Sequence, residues 1–152
     1  MTNSGKTSFA ASPGSVIEIA ADIRTGATTP SDVVQCYLDR IAAVDGAVHA
    51  WVSVDEAGAL AAASEMSREA VKGVFRGPLH GVPVAIKDIC DVAGWPTRCN
   101  SATRAHVGPA TADAEIVSAF RTAGAIVLGK THTTEFAYYD PSPARNPHNI
   151  GH

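Results

Sequence analysis

Val82-Pro83-Val84-Ala85-Ile86-Lys87 and, after a helical pattern from about Thr111 to Ala123, Ala125-Ile126-Val127-Leu128 read together as strand, helix, strand. The first run alternates, with Val82, Val84 and Ile86 on one face and Pro83, Ala85 and Lys87 on the other. Pro83 suits a first-residue or edge position, because it has no N–H to give to a ladder. The second run is continuously apolar, as expected for a strand covered on both faces, and Gly129 is expected to close it. Ala114, Val117, Phe120 and Arg121 carry the helical spacing between them, and Gly124 ends that helix. A crossover of this kind joins parallel strands, so the fold class is α/β.

Working outward, Ser15-Val16-Ile17-Glu18 has the form of a capping box before Val16, Ile19, Ala20 and Ile23, with Gly26 as the stop. Thr29, with Pro30 at the first helical position and Asp32 in the first turn, opens a second helix whose apolar face is Val34, Tyr37, Leu38 and Ile41. From Val48 to Val54 apolar and polar residues alternate at the period of a strand, after which Asp55 caps an alanine-rich helix running toward Lys72. Gly73 to Gly81 is a connecting loop. The stretch from Asp88 to Ala110 and the tail from Pro141 to His152 show neither period.

The 152 residues are enough for one domain with a core, and 45% hydrophobic with 18% charged residues is the balance of a globular chain. Net charge is −3 and the 12 Lys and Arg residues are scattered, which argues against nucleic-acid binding by this segment. No apolar run approaches the roughly 18 residues of a membrane span, and Met1 to Ala11 lacks the apolar stretch of a secretory signal. A cytoplasmic location follows by default. Cys36, Cys90 and Cys99 form no Cys-x-x-Cys pair, so neither a disulfide framework nor a thiolate zinc site is expected. His49, His80, His106 and His132 are too far apart in sequence to suggest a metal site. Cys90 or Cys99 with His80 or His106 makes no recognisable thiol-nucleophile motif.

Gly124-Ala125-Ile126-Val127-Leu128-Gly129-Lys130-Thr131 formally satisfies the phosphate-loop pattern. A phosphate cradle needs a strand before its first glycine and a helix after its lysine. Here the order is reversed, and a nucleotide-binding reading is set aside.

Gly77-Pro78-Leu79-His80-Gly81-Val82-Pro83-Val84-Ala85-Ile86-Lys87-Asp88 resembles the first block of the amidase signature family, whose members hydrolyse or transfer carboxamides. The resemblance continues through Ala112 to Val117, Ala123 to Thr131, Thr134 to Ala137 and Asn146-Pro147, and covers about Ser15 to His152. It implies a mixed β-sheet flanked by helices, with residues 1–14 a flexible N-terminus and 15–152 the N-terminal part of an amidase domain, incomplete at its C-terminus. It also implies a Ser-cisSer-Lys triad of which Lys87 is the lysine, both serines lying beyond His152, so that the 152 residues alone are expected to be inactive. No metal or organic cofactor is implied. The implied partner is a small-molecule amide, and the full-length enzyme is a possible homodimer.

The chemistry of Lys87 can be stated independently. An amine removes a proton only when neutral, whereas a lysine in water is charged near neutral pH, so the role requires withdrawal from solvent. The end of a buried strand is where such withdrawal is expected. His132 stands where the family commonly has asparagine, and Arg98-Cys99-Asn100 where it has small residues; both are expected to shape the substrate pocket. Tyr138 and Tyr139 fit a general amidase better than the amide-cleaving subunit of a tRNA-dependent amidotransferase. The remaining alternative is a non-catalytic module, whose open sheet edges would favour self-association.

Overall fold

The computed structural model describes residues 14–151; the expectations for residues 1–13 and for His152 lie outside the described residues. The elements run α1 (Val16–Thr25), α2 (Pro30–Val48), β1 (Trp51–Val54), α3 (Glu56–Val71), β2 (Pro83–Lys87), α4 (Glu115–Thr122) and β3 (Ile126–Thr131), with short 3-10 turns at Ala102–Arg104 and Glu135–Ala137. The three strands form a mixed sheet in the order β1-β3-β2, antiparallel on the β1 side of β3 and parallel on the β2 side.

Local chemistry sets the helix starts. Ser15 Oγ accepts from Glu18 N at 3.3 Å while Ser15 N donates to Glu18 Oε2 at 2.6 Å, completing the capping box of α1. Thr29 Oγ1 accepts from Asp32 N at 3.1 Å ahead of Pro30, and Asp55 Oδ1 accepts from Gly58 N at 3.0 Å at the head of α3. α4 begins later than the expected Thr111. Ala114 is its N-cap and supplies no side-chain bond, while Asp113 turns aside to accept from Ala93 N and pair with Arg121.

The expected strand from Val48 is also corrected. α2 continues through Val48 and ends at His49, whose φ of 53° takes the chain out of the helix, and β1 begins only at Trp51. The alternating residues Val48 and Ala50 flank the end of α2, where the helix's backbone bonds prevail: His49 N donates to Asp45 O at 2.8 Å. Pro83 is the first residue of β2, which has no partner on its other side among the described residues.

Gly129 does not close β3, which runs on to Thr131. Its lack of a side chain serves a different purpose, since a Cβ there would collide with the Ser53 carbonyl and with Val54 Cα on β1. Glycine therefore permits close approach of the two strands.

Both faces of β3 are covered. Ile126 and Leu128 pack with Val34, Leu38, Ala59, Ala63 and Met66 of α2 and α3. Val127 packs on the other face with Ile86, Val92 and Val117. A third cluster, Ile19, Ile23, Val33 and Val82, attaches α1. Burial of this kind contributes roughly 1.5–3 kcal/mol for each large apolar side chain before the entropy of ordering it is counted.

The loop into β2 is tied down by His80, which is buried. Its Nδ1 accepts from Arg76 N at 3.1 Å and its Nε2 lies 3.0 Å from Met66 O. An Nδ1 that accepts leaves the proton on Nε2, where it donates to the carbonyl. Gly124, at φ 88°, packs so closely on the His80 backbone that a Cβ would meet His80 Cα.

Candidate active site

Lys87 is the last residue of β2, paired in register with Thr131 at the end of the parallel strand β3. The carboxyl ends of parallel strands are where α/β sheets present ligands. Its carbonyl accepts from Ile89 N at 2.8 Å and Cys90 N at 3.0 Å, so a tight turn follows at once. The Lys87 side chain is exposed and makes no hydrogen bond or ion pair among the described residues. The withdrawal from solvent expected at the end of a buried strand is thus absent within residues 14–151.

A second lysine behaves oppositely. Lys130 is 1% exposed and its Nζ lies 2.8 Å from Asp88 Oδ1, itself buried. That approach is a charge contact whose angles fall outside hydrogen-bonding geometry. Nζ also donates to Thr97 Oγ1 at 2.9 Å, and the Thr97 hydroxyl donates to Cys90 O at 3.4 Å. Two buried charges are tolerable only because they are paired.

A bulge places Lys130 on this side. Val84 pairs with Val127 but Ala85 pairs with Gly129, so Leu128 is an extra residue on β3 and Ile86 comes opposite Lys130. Unbroken alternation from Ile126 and Leu128 would have sent Lys130 toward α2 and α3. One additional residue reverses the faces beyond it, and Lys130 reaches the loop after β2 instead.

Asp88 is held from every direction. Its N–H donates to Thr131 O at 2.9 Å, its carbonyl accepts from Cys99 N at 3.0 Å, and Oδ2 accepts from Arg98 N at 3.2 Å. Cys99 O in turn accepts from Phe136 N at 3.0 Å. The stretch Arg98-Cys99-Asn100 and the turn at Glu135–Ala137, far apart in sequence, therefore meet beside the end of β2. Among the described residues five non-glycine positions have positive φ, and four of them are here: Cys99, Asn100, Phe136 and Ala137. Such conformations cost about 1–3 kcal/mol each and concentrate at functional sites.

His132 follows β3 directly and donates its backbone N–H to Ala50 O at 2.8 Å, while its Nδ1 and the Thr133 hydroxyl are buried without a hydrogen-bond partner among the described residues. Burial raises the Cys99 thiol above its ordinary value, which keeps it protonated and unsuited to nucleophilic attack. No group of three or more His, Cys, Asp or Glu side chains arranged to hold a metal occurs among the described residues. No described helix is long and apolar enough to cross a membrane.

The phosphate-loop pattern dissolves in the fold. Gly124 leaves α4, Ile126–Thr131 is strand with its amides committed to the sheet, and Lys130 is turned onto Asp88.

Sequence reading placed Lys87 at its strand end but passed over the Asp88, Thr97 and Lys130 group. The available signal was a lysine inside a strand otherwise made of buried residues, since such a charge requires a buried partner.

Comparison with known proteins agrees with this architecture. The model of the family described as Amidase matches residues 32–147. The chain is 42% identical over 137 residues to the A-type subunit of the glutamyl-tRNA(Gln) amidotransferase of Acidothermus cellulolyticus, covering 86% of this chain and 27% of that protein. It is 38% identical over 135 residues to an amidase of Pseudomonas putida, covering 88% and 28%. Among solved structures, the peptide amidase of Stenotrophomonas maltophilia superposes with a TM-score of 0.79 at 34% identity, over 90% of this chain and 30% of that one. The chain thus spans less than a third of these relatives' length, and within that span both sequence and fold agree: it belongs to the amidase family.

Proposed function

We propose that these 152 residues form the lysine-bearing N-terminal part of an amidase domain that hydrolyses a carboxamide to a carboxylate and ammonia or an amine. The observation that carries the reading is Lys87: the end of a parallel strand inside the matched region, with an ammonium that no described residue engages. In this reading Lys87 is the terminal proton acceptor of a serine-based acyl transfer. A bridging serine passes the nucleophile's proton to the neutral amine, and the proton returns to the leaving nitrogen as the C–N bond breaks. The rest of the amidase domain supplies both serines, the oxyanion-binding amides, and the cover that excludes water from Lys87. The joined loops at Arg98-Cys99-Asn100 and Glu135–Ala137, with His132, form a wall of the amide pocket.

A second reading, the amide-cleaving subunit of a tRNA-dependent amidotransferase, is favoured by the 41–42% identity to several such proteins. It differs in the fate of the ammonia. The test is ammonia release by the complete gene product containing this chain, offered glutamine alone and a panel of aliphatic, aromatic and peptide carboxamides. Turnover of the panel, reduced roughly 10²- to 10⁴-fold by Lys87→Ala, is expected for the amidase reading. Activity confined to glutamine would select the second reading. Undiminished turnover by Lys87→Ala, or no carboxamide hydrolysed, would overturn both.

A further inference from the structure

We infer that Asp88 and Lys130 are positioning residues for Lys87, their buried ion pair clamping the backbone at the point where β2 ends. The inference rests on Lys87 being the proton acceptor.

A long, flexible side chain serves a proton transfer only if its root is fixed, because displacement of about 1 Å can cost on the order of 10²-fold in rate. At Lys87 no described residue fixes the side chain from its own end, so within residues 14–151 its placement comes through the backbone. Asp88 is the next residue. Its N–H and carbonyl are bonded to β3 and to Cys99, and its carboxylate spans Arg98 N and the Lys130 ammonium. The Lys130 ammonium continues to Thr97, whose carbonyl accepts from Arg104 Nε at 2.8 Å. One buried charge pair thus joins the end of β2, the loop after it and the interior of β3.

Geometry also explains why a charge pair is used here. An apolar pair would fill the same space but would not fix direction, whereas the carboxylate has one oxygen on Arg98 N and the other against Nζ. Alternation along β2 directs Lys87 to the sheet face opposite Ile86, and Ile86 is the register partner of Lys130. The lysine that does chemistry and the pair that holds it are kept on separate faces, so the Lys130 charge is out of the reacting site.

The test uses the complete gene product carrying Asp88→Asn, Lys130→Met or both. Expected for each single variant is a kcat lowered about 10²-fold with KM little changed, a displaced pH profile of kcat/KM, and faster hydrogen exchange at the amides of Asp88, Arg98 and Cys99 than at Ile126. The double variant, which leaves no unpaired buried charge, is expected to recover melting temperature while kcat stays low. If kcat follows only the folded fraction with the wild-type pH profile, or the double variant regains both, the pair is merely structural and the inference fails. Should a single variant not fold, Thr97→Val removes the Lys130 hydrogen-bond acceptor and the long bond to Cys90 O while keeping the ion pair, and is read the same way, with a smaller loss. The exchange measurement does not involve catalysis, so it judges the clamp even if Lys87→Ala remains active and the functional reading fails instead.

Discussion

Lys87 ends one strand of a parallel pair and Lys130 lies one residue before the end of the other, yet among the described residues the first is exposed and makes no hydrogen bond or ion pair while the second is 1% exposed and paired with a carboxylate. Their sequence settings hardly differ: each follows residues of a short apolar strand. What separates them is the bulge at Leu128, which puts Lys130 on the face covered by the loop after β2, and the end of β2, which leaves Lys87 without a cover. The same side chain is a buried anchor or an exposed group according to what the sheet places over it.

The same substitution at both positions should break the resemblance most sharply. Lys130→Met strands the Asp88 carboxylate in the interior and is expected to cost about 3–5 kcal/mol of stability. Lys87→Met, on an exposed side chain, should stay within about 0.5 kcal/mol of wild type. Denaturant titration of the two variants checks this, and equal losses would dissolve the distinction. Next in size is Gly129→Ala, beside Lys130. The added methyl meets the backbone of β1, and about 1–3 kcal/mol is expected from forcing the strands apart, read as a lower unfolding midpoint with the slope unchanged.

The smallest effect sets the scale for exposed charge. Arg76 makes two bonds of 2.8 Å to Glu69 near the surface. The hydrogen bond from Arg76 holds the Glu69 carboxyl below its ordinary value. A lowered carboxylate stabilises the fold above the ordinary carboxylate range, and that contribution is lost as pH falls through the lowered value. Glu69→Gln should therefore lower the melting temperature slightly at neutral pH and leave it unchanged in strong acid. Melting curves across that interval check the sign, and a deficit as large as that of Lys130→Met would contradict the contrast between exposed and buried pairs.

Much of the fold was legible because its signals are local. The Ser15 capping box, Thr29-Pro30, Asp55 and Gly26 each act within four residues of themselves, and each stands at its predicted helix end. Val48 misled because a helix end and an extended segment share the same few residues there, and Thr111 because Asp113 is drawn to Ala93 N and Arg121 and the helix starts only after Ala114. The bulge at Leu128 and the contact of Cys99 with Phe136 depend on register between distant segments, which no local pattern encodes. Consequently the strand end at Lys87 could be read from its motif, whereas the buried Asp88, Thr97 and Lys130 group beside it could not.

The most direct measurement is the steady-state amide hydrolysis of Lys87→Arg in the complete gene product, across the pH range in which the wild type is active. Arginine keeps the positive charge and much of the length but remains protonated in proteins, so it cannot accept a proton. If Lys87 is the proton acceptor, Lys87→Arg is as inactive as Lys87→Ala at every pH. If Lys87→Arg retains substantial turnover, Lys87 contributes charge or packing alone, and the proton acceptor must be sought elsewhere.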